Sequence, residues 1–433
     1  MKTKIDYSLC LVTDRKLMST PTLEMAVEQA ILGGCTLIQL REKDISTKEF
    51  FELACKVKRI TDKYKIPFII NDRIDIAMAV DADGVHIGSD DMPTEEARRI
   101  IGEDKILGVS ARTVEEAILA EINGADYLGV GAMFATDTKN DALIVSKEEL
   151  QKISSICTIP ILVIGGIRED RIPYFDAIKI DGLAVISAII SSKNILAATQ
   201  KLKDRFCNRP AVPEQYIDID YVFFDLDGTL FDSNDLWEKI DIEFLSKRGY
   251  DVPDDYIVKV SALNFREAAV YTKQLFNLPD TPQELIEEWR KMAQNEYEYN
   301  FLLKPHAKEY LFALKKQGVR LAVATSLPPS LYVPALKNNG IYELFDNCFS
   351  AEDCNRGKEH SDFFIEIMQQ VHSLPQKCLF FEDVLSAIKS IKRTGAKVCG
   401  VYDYFSRSDV SEIILNADFY IVNFRKAPMV RKI

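Results

Sequence analysis

The 433-residue chain is 47% hydrophobic and 28% charged, enough apolar content to bury ordinary cores, which excludes global disorder. Its net charge of −12 argues against a surface that coats nucleic acid but leaves room for a local phosphate pocket. No apolar run approaches the ~18 residues of a spanning helix, so no membrane partner is expected. The longest runs, 159–166 and 182–192, read as buried strands running into loops. The basic start MKTKIDYSLCLVTDRK is closed by Asp14 and makes no signal peptide. Nine cysteines, an odd number without a CxxC pair, read as reduced thiols of a cytoplasmic chain. The four histidines, His86, His306, His360 and His372, are scattered. Chemistry is therefore left to carboxylates, lysines, arginines and Mg²⁺ rather than to zinc or a histidine relay.

From residue 7 to about 206, short β-rich runs alternate with amphipathic stretches. The strands are YSLCLVT, TLIQL, PFII, GVHI, KILGV, YLGVG, PILVI and GLAVI. Helical patterns fall at 22–32, 47–64, 94–101, 114–123, 146–154 and 194–206, with Gly33-Gly34 and Asn123-Gly124 closing two of them. Eight strand–helix units of about 25 residues predict an α/β fold, a (β/α)₈ TIM barrel, in preference to an open doubly wound sheet.

In such a barrel chemistry sits where strands end. Strand two ends in Gln39-Leu40-Arg41-Glu42-Lys43 and strand three in Asn71-Asp72. Strand four carries His86 and runs to Asp91, and strand five ends at Ser110. Strand six leads to Thr136, Thr138 and Lys139, strand seven to Gly165-Gly166, and strand eight to Ile186-Ser187. Arg41, Lys43 and Lys139 suit phosphate oxygens, and Asp72 with Asp91 suits Mg²⁺ beside a diphosphate. The glycine pair lets backbone N–H groups approach a second phosphate. Each feature alone has a plainer reading: QLREK as a solvated strand end, Asn71-Asp72 as a turn, His86 as a satisfied half-buried ring. Seven strand ends that agree with one mechanism are harder to explain as turns.

LVTD, TLIQLREK, INDR, DGVHIGSDDMP, GVSART, GADYLGVGAMFATDTK, IGGI and VISAI, in order across about residues 7–190, resemble the thiamine-phosphate synthase family. The resemblance implies condensation of hydroxymethylpyrimidine diphosphate with a (carboxy)thiazole phosphate, giving thiamine phosphate and diphosphate. It implies that Gln39, Arg41, Lys43, Asn71 and Lys139 bind the pyrimidine diphosphate, with His86 at the same site. Asp72 and Asp91 would bind Mg²⁺, and Ser110 the diphosphate. Thr136, Thr138, Gly166, Ile186 and Ser187 would surround the thiazole phosphate. The chain departs from the family at Ala132 and Ala135, where prolines are usual, and at Ser89, where glutamine is usual. A thiazole tautomerase or a non-catalytic thiazole phosphate sensor on the same fold is the alternative; Arg41, Lys43, Asp72 and Asp91 together count against the first.

Residues 207–219 (CNRPAVPEQYIDI) read as a linker between a barrel at 1–206 and a second α/β domain at 220–433. The strand YVFF ends on Asp225-Leu226-Asp227-Gly228-Thr229, so two carboxylates at i and i+2 can share a cleft as nucleophile and acid/base. Helical patterns without strands fill about 233–303, as an inserted cap would. Alternation then resumes with RLAVAT, ending at Thr325, with CLFFED, ending at Glu382-Asp383, and with KVCGVY; Lys358 lies in RGKEHSDFF. Alone, Thr325 reads equally as a helix cap and Lys358 as a surface lysine.

The ordered set resembles the haloacid dehalogenase superfamily, in its β-phosphoglucomutase-like branch, over about 220–425. That implies a Rossmann-like domain in which Asp225 forms an aspartyl-phosphate, Asp227 is acid and base, and Thr325 and Lys358 hold the phosphoryl group. Asp383, Asp225 and the Asp227 carbonyl would hold Mg²⁺, with Glu382 nearby, so one Mg²⁺ is expected in each domain. Val384 and Ala387 stand where serine and glycine are common. In the cap, Arg266 is either a substrate contact or a solvated helix residue. The expected partners are small molecules, and the oligomeric state stays open. The phosphatase substrate is expected to be thiamine phosphate, with diphosphate, sugar or nucleotide phosphates, or a mutase reaction as alternatives.

Overall fold

The computed structural model describes residues 5–432 apart from 136–142, 254–255, 262, 264, 300–301 and 352–356. Contacts divide the chain into two compact units, Met1–Pro213 and Glu214–Ile433.

In the first unit the strands are β1 (Leu9–Val12), β2 (Leu37–Leu40), β3 (Phe68–Asn71), β4 (Gly84–Ile87), β5 (Ile106–Ala111), β6 (Tyr127–Val130), β7 (Ile161–Ile164) and β8 (Gly182–Val185). They pair in sequence order, all parallel, and β8 returns to β1 to close the predicted barrel. Cys10, Val12, Leu37, Ile69, Ile106, Tyr127, Leu162 and Ala184 pack into one inner cluster, so the interior is a filled core rather than a pore.

The surrounding helices follow the apolar spacing. Thr47–Tyr64 opens with a capping box between Ser46 and Glu49 and buries Phe50, Ala54, Val57 and Thr61 along one stripe. The connections after β3 and β7, where no long amphipathic pattern stands, hold a short helix, Ile74–Ala79, and a 3₁₀ segment, Glu169–Phe175. Pro173 lies inside the latter and lacks the N–H that a continuing helix needs.

In the second unit, β9 (Ile217–Asp218) pairs with β16 (Val430–Arg431), so the last residues of the expected linker stretch are strand. Between them β10 (Tyr221–Phe224), β11 (Arg320–Thr325), β12 (Asn347–Ser350), β13 (Cys378–Glu382), β14 (Lys397–Val401) and β15 (Phe419–Ile421) form one parallel sheet, ordered β12-β11-β10-β13-β14-β15. That is a doubly wound order, and ligands bind such sheets where the order reverses, beyond β10. Stacked rings anchor this centre: Phe223 on Phe380 at 4.4 Å and Phe224 on Phe381 at 4.8 Å between centroids. Helices Asn234–Ser246, Tyr256–Ser261, Phe265–Phe276 and Pro282–Tyr299 lie between β10 and β11. Among the described residues no helix is long and apolar enough to cross a membrane.

Barrel closure depends on Gly182, because a Cβ there would overlap the backbone carbonyl of Tyr7, which cannot turn aside. Gly182→Ala should therefore destabilise the first unit by roughly 1–3 kcal/mol, seen as a drop of several degrees in its calorimetric transition while the second unit's transition stays put.

Candidate active sites

At the barrel mouth the chain brings together residues from β2 to β5. Asn71, buried, ends β3, and Asp72 follows in a left-handed backbone conformation (φ 62°), its N–H donating to the His86 carbonyl at 2.8 Å. Aspartate tolerates that region better than most residues, so this turn can present a carboxylate at the rim. Lys43 reaches Asp72 Oδ2 at 2.5 Å. Asp91 Oδ2 accepts from the Gly88 N–H at 2.8 Å. Burial, with Asp72 facing it, raises the Asp91 carboxyl above its ordinary range. Two carboxylates turned to one another beside a lysine fit a divalent cation. Arg41, half-buried, follows β2, its backbone N–H donating to Thr13 Oγ1 at 3.0 Å.

Beneath the rim lies a buried polar chain. Gln39 Nε2 donates to Tyr127 Oη at 3.4 Å, Tyr127 Oη meets His86 Nδ1 at 2.9 Å, and His86 Nε2 meets Ser110 Oγ at 3.0 Å. Burial pushes the His86 ring down to about 4, so it is neutral at pH 7. Tyr127 fits because its strand neighbour is Gly108, where any Cβ would overlap its ring.

Across the mouth, Gly166 (φ 64°) accepts from Arg171 Nη1 at 2.7 Å, and a Cβ there would lie 2.9 Å from the Ala135 carbonyl, so glycine is required. Ile186 and Ser187 open the short helix Ser187–Ile190 beyond β8. Thr136, Thr138 and Lys139 lie outside the described residues.

In the second unit Asp225 follows β10, Thr325 ends β11 and Glu382-Asp383 ends β13, so three adjacent strands deliver their carboxyl ends to one cleft. Lys358 Nζ bridges Asp225 Oδ1 at 2.8 Å and Glu382 Oε2 at 2.5 Å. Burial alone would lower this ammonium, but the two carboxylates hold it above its ordinary value. Asp225, Glu382 and Asp383 each offer an oxygen within 4.8 Å of the others. Burial raises both Glu382 and Asp383, against the pull of Lys358 on Glu382, so the cluster suits a divalent cation. Thr229 Oγ1 steadies Asp383 at 2.8 Å. Asp227, pushed up to about 6 by burial, accepts from Tyr297 Oη at 2.6 Å. Thr325 is buried, its Oγ1 accepting from the Leu327 N–H at 3.2 Å. Arg266 lies exposed on its helix.

Sequence reasoning passed over Tyr127, Tyr297, Thr229 and the buried Lys304–Asp403 ion pair at 3.2 Å. Thr229 stood in the DxDGT run itself; the others needed strand register or a tertiary neighbour.

Two clusters of carboxylates and lysines, one in each unit, stand at the carboxyl ends of parallel strands of an α/β enzyme. Residues 9–189 match the family described as thiamine monophosphate synthase, and 222–401 match the haloacid dehalogenase-like hydrolases. Over 206 residues the chain is 62% identical to a thiamine-phosphate synthase of Clostridium beijerinckii, covering 48% of this chain and 99% of that one. The thiamine-phosphate synthase of Methanobrevibacter smithii is 49% identical over 202 residues, covering 47% and 96%. A solved predicted phosphoglycolate phosphatase from Haemophilus somnus is 23% identical, with a TM-score of 0.42, covering 48% of this chain and 95% of that one. Through its first half the chain belongs to the thiamine-phosphate synthase family, and its second half is a haloacid dehalogenase-like domain.

One buried acid belongs to neither centre. Asp241, in helix Asn234–Ser246, is pushed up to about 7 by burial. A carboxyl raised above its unfolded value stabilises the fold fully at acid pH and loses that contribution as pH rises through about 7. Asp241→Asn should therefore stabilise the second unit by roughly 2 kcal/mol at pH 8 and change it little at pH 4.5, read by thermal unfolding at both.

Proposed function

We propose that the barrel joins hydroxymethylpyrimidine diphosphate to a thiazole phosphate, and that the second unit hydrolyses the resulting thiamine phosphate to thiamine through an aspartyl-phosphate. The observation that carries the synthase reading is the set Arg41, Lys43, Asp72 and Asp91 at the ends of barrel strands, in a first half that is 62% identical to a synthase over 206 residues. An isomerase without a diphosphate would have no use for that set.

In the synthase step the C–O bond to diphosphate breaks, the electron pair leaves with the diphosphate, and the thiazole nitrogen forms the new C–N bond to the methylene carbon. Arg41 and Lys43 neutralise the departing charge, the largest contribution a preorganised site can make. Asn71 and Gln39 orient the pyrimidine, and Lys139 adds a further cation. Thr136, Thr138, Gly166, Ile186 and Ser187 hold the thiazole phosphate. Mg²⁺ held by Asp72 and Asp91 would supply additional charge neutralisation to the leaving diphosphate.

In the phosphatase step Asp225, oriented by Lys358, attacks phosphorus. Asp227, whose pKa of about 6 suits proton transfer near neutrality, protonates the leaving oxygen and then takes a proton from the attacking water. Thr325 and Lys358 hold the phosphoryl oxygens. Mg²⁺ held by Asp225, Asp383 and the Asp227 carbonyl, beside Glu382, would offset the charge of the phosphoryl group. Thiamine phosphate is assigned as substrate because synthase and phosphatase share one chain, which raises the local concentration of product. An odd number of cysteines without a CxxC pair supports a cytoplasmic reading.

Asp72→Ala should lower synthase kcat at least about 100-fold while thiazole phosphate still binds; unchanged turnover would contradict the assignment. Supplied directly with thiamine phosphate, the full chain should release phosphate and Asp225→Asn should release none. No release by wild type would exclude this substrate, and diphosphate and hexose phosphates assayed alongside would show which alternative holds.

A further inference from the structure

Among the described contacts, one direction along the chain of polar groups under the barrel rim gives every hydrogen an acceptor. Gln39 Nε2 carries protons and no acceptor, so at Tyr127 it can only donate, and Tyr127 Oη receives it. The single Tyr127 proton must then go elsewhere, and His86 Nδ1 at 2.9 Å is there to accept it. A neutral imidazole that accepts at Nδ1 carries its proton on Nε2, which faces Ser110 Oγ at 3.0 Å. Ser110 Oγ accepts that proton, which leaves its own hydroxyl hydrogen for a different acceptor. A diphosphate offers acceptors only. Reversed, the chain would have Ser110 donating inward to His86, with nothing to give a phosphate oxygen.

We propose that Tyr127 is a positioning residue that, through His86, fixes Ser110 as a hydrogen-bond donor to the substrate diphosphate. This deepens the synthase reading of the barrel and rests on it. It accounts for a large polar ring in a barrel core: Gly108 clears space for Tyr127, and Gly129 clears space for His86, whose ring a Cβ at 129 would meet at 2.9 Å. Tyr127, Gln39 and His86 are all buried, so each would leave a costly unsatisfied group if the chain were broken. The order of the links also assigns roles. Tyr127 never touches substrate; its hydroxyl sets which nitrogen of His86 holds the proton, and that choice sets the direction of the Ser110 hydroxyl.

The test begins with a tautomer. His306, His360 and His372 changed to Asn leave His86 the only histidine of the four in the full chain. Labelled with ¹⁵N-histidine, this protein should show the Nε2–H tautomer at pH 7 in long-range ¹⁵N–¹H spectra; the Nδ1–H tautomer would overturn the proposal. The second arm is a double-mutant cycle on synthase activity with Mg²⁺, varied pyrimidine diphosphate and saturating thiazole phosphate. Tyr127→Phe should lower kcat about 10- to 100-fold, the worth of one hydrogen bond to a charged group, and leave the KM for thiazole phosphate unchanged. In a Ser110→Ala background the same change should cost less than about 3-fold, because its effect runs through the missing hydroxyl. Independent, multiplicative losses would overturn the proposal. A wild-type chain that makes no thiamine phosphate would instead defeat the synthase reading, a failure that the tautomer measurement keeps distinct.

Discussion

In both halves the strands are parallel and covered on each face, so a polar side chain survives only where a strand ends or where buried partners satisfy it. This constraint sorts the chemistry. Asn71-Asp72, Ser110 and Arg41-Lys43 sit at barrel strand ends, while Asp225, Thr325 and Glu382-Asp383 sit at the ends of β10, β11 and β13. Polar groups deeper in the barrel, Gln39 and His86, stay there because Tyr127 bonds to both.

The two sites solve the same electrostatic problem differently. At the barrel rim the lysine is half-exposed: the Lys43 side chain keeps 51% of its surface while paired to Asp72, so a ligand can draw it away at small cost. In the second unit Lys358 keeps 10% and is locked between Asp225 and Glu382. Removing such a buried partner would leave two carboxylates facing one another out of water, a far larger penalty. The first arrangement suits an open site for two sizeable substrates, and the second a compact site for one phosphoryl group. Tyr297, from the helix Pro282–Tyr299, bonds to Asp227, which ties the inserted helices to the carboxyl proposed as acid and base.

Much of this is legible in the sequence because periodicity and strand-end chemistry coincide. The eight apolar runs of the barrel each stop at a polar residue or a glycine, and YVFFDLDGT spells a strand, two carboxylates and a turn in nine letters. What escaped was set by register rather than by pattern. Tyr127 looks like any strand aromatic until Gly108 is found opposite it. Lys304 and Asp403 are 99 residues apart, and nothing local announces their pairing. Asp241 is buried although nothing in its own helix sequence announces it. The 3₁₀ segment after β7 follows from Pro173, a signal that was present in the sequence.

The joining of a synthase to a phosphatase makes sense if the product of one is the substrate of the other. The most direct measurement starts the full chain with Mg²⁺, the pyrimidine diphosphate and the thiazole phosphate, and follows both products over time by chromatography. The account predicts that thiamine phosphate appears first and is then converted to free thiamine. Thiamine phosphate that accumulates in step with diphosphate release, with no free thiamine, would contradict the proposed coupling of the two centres.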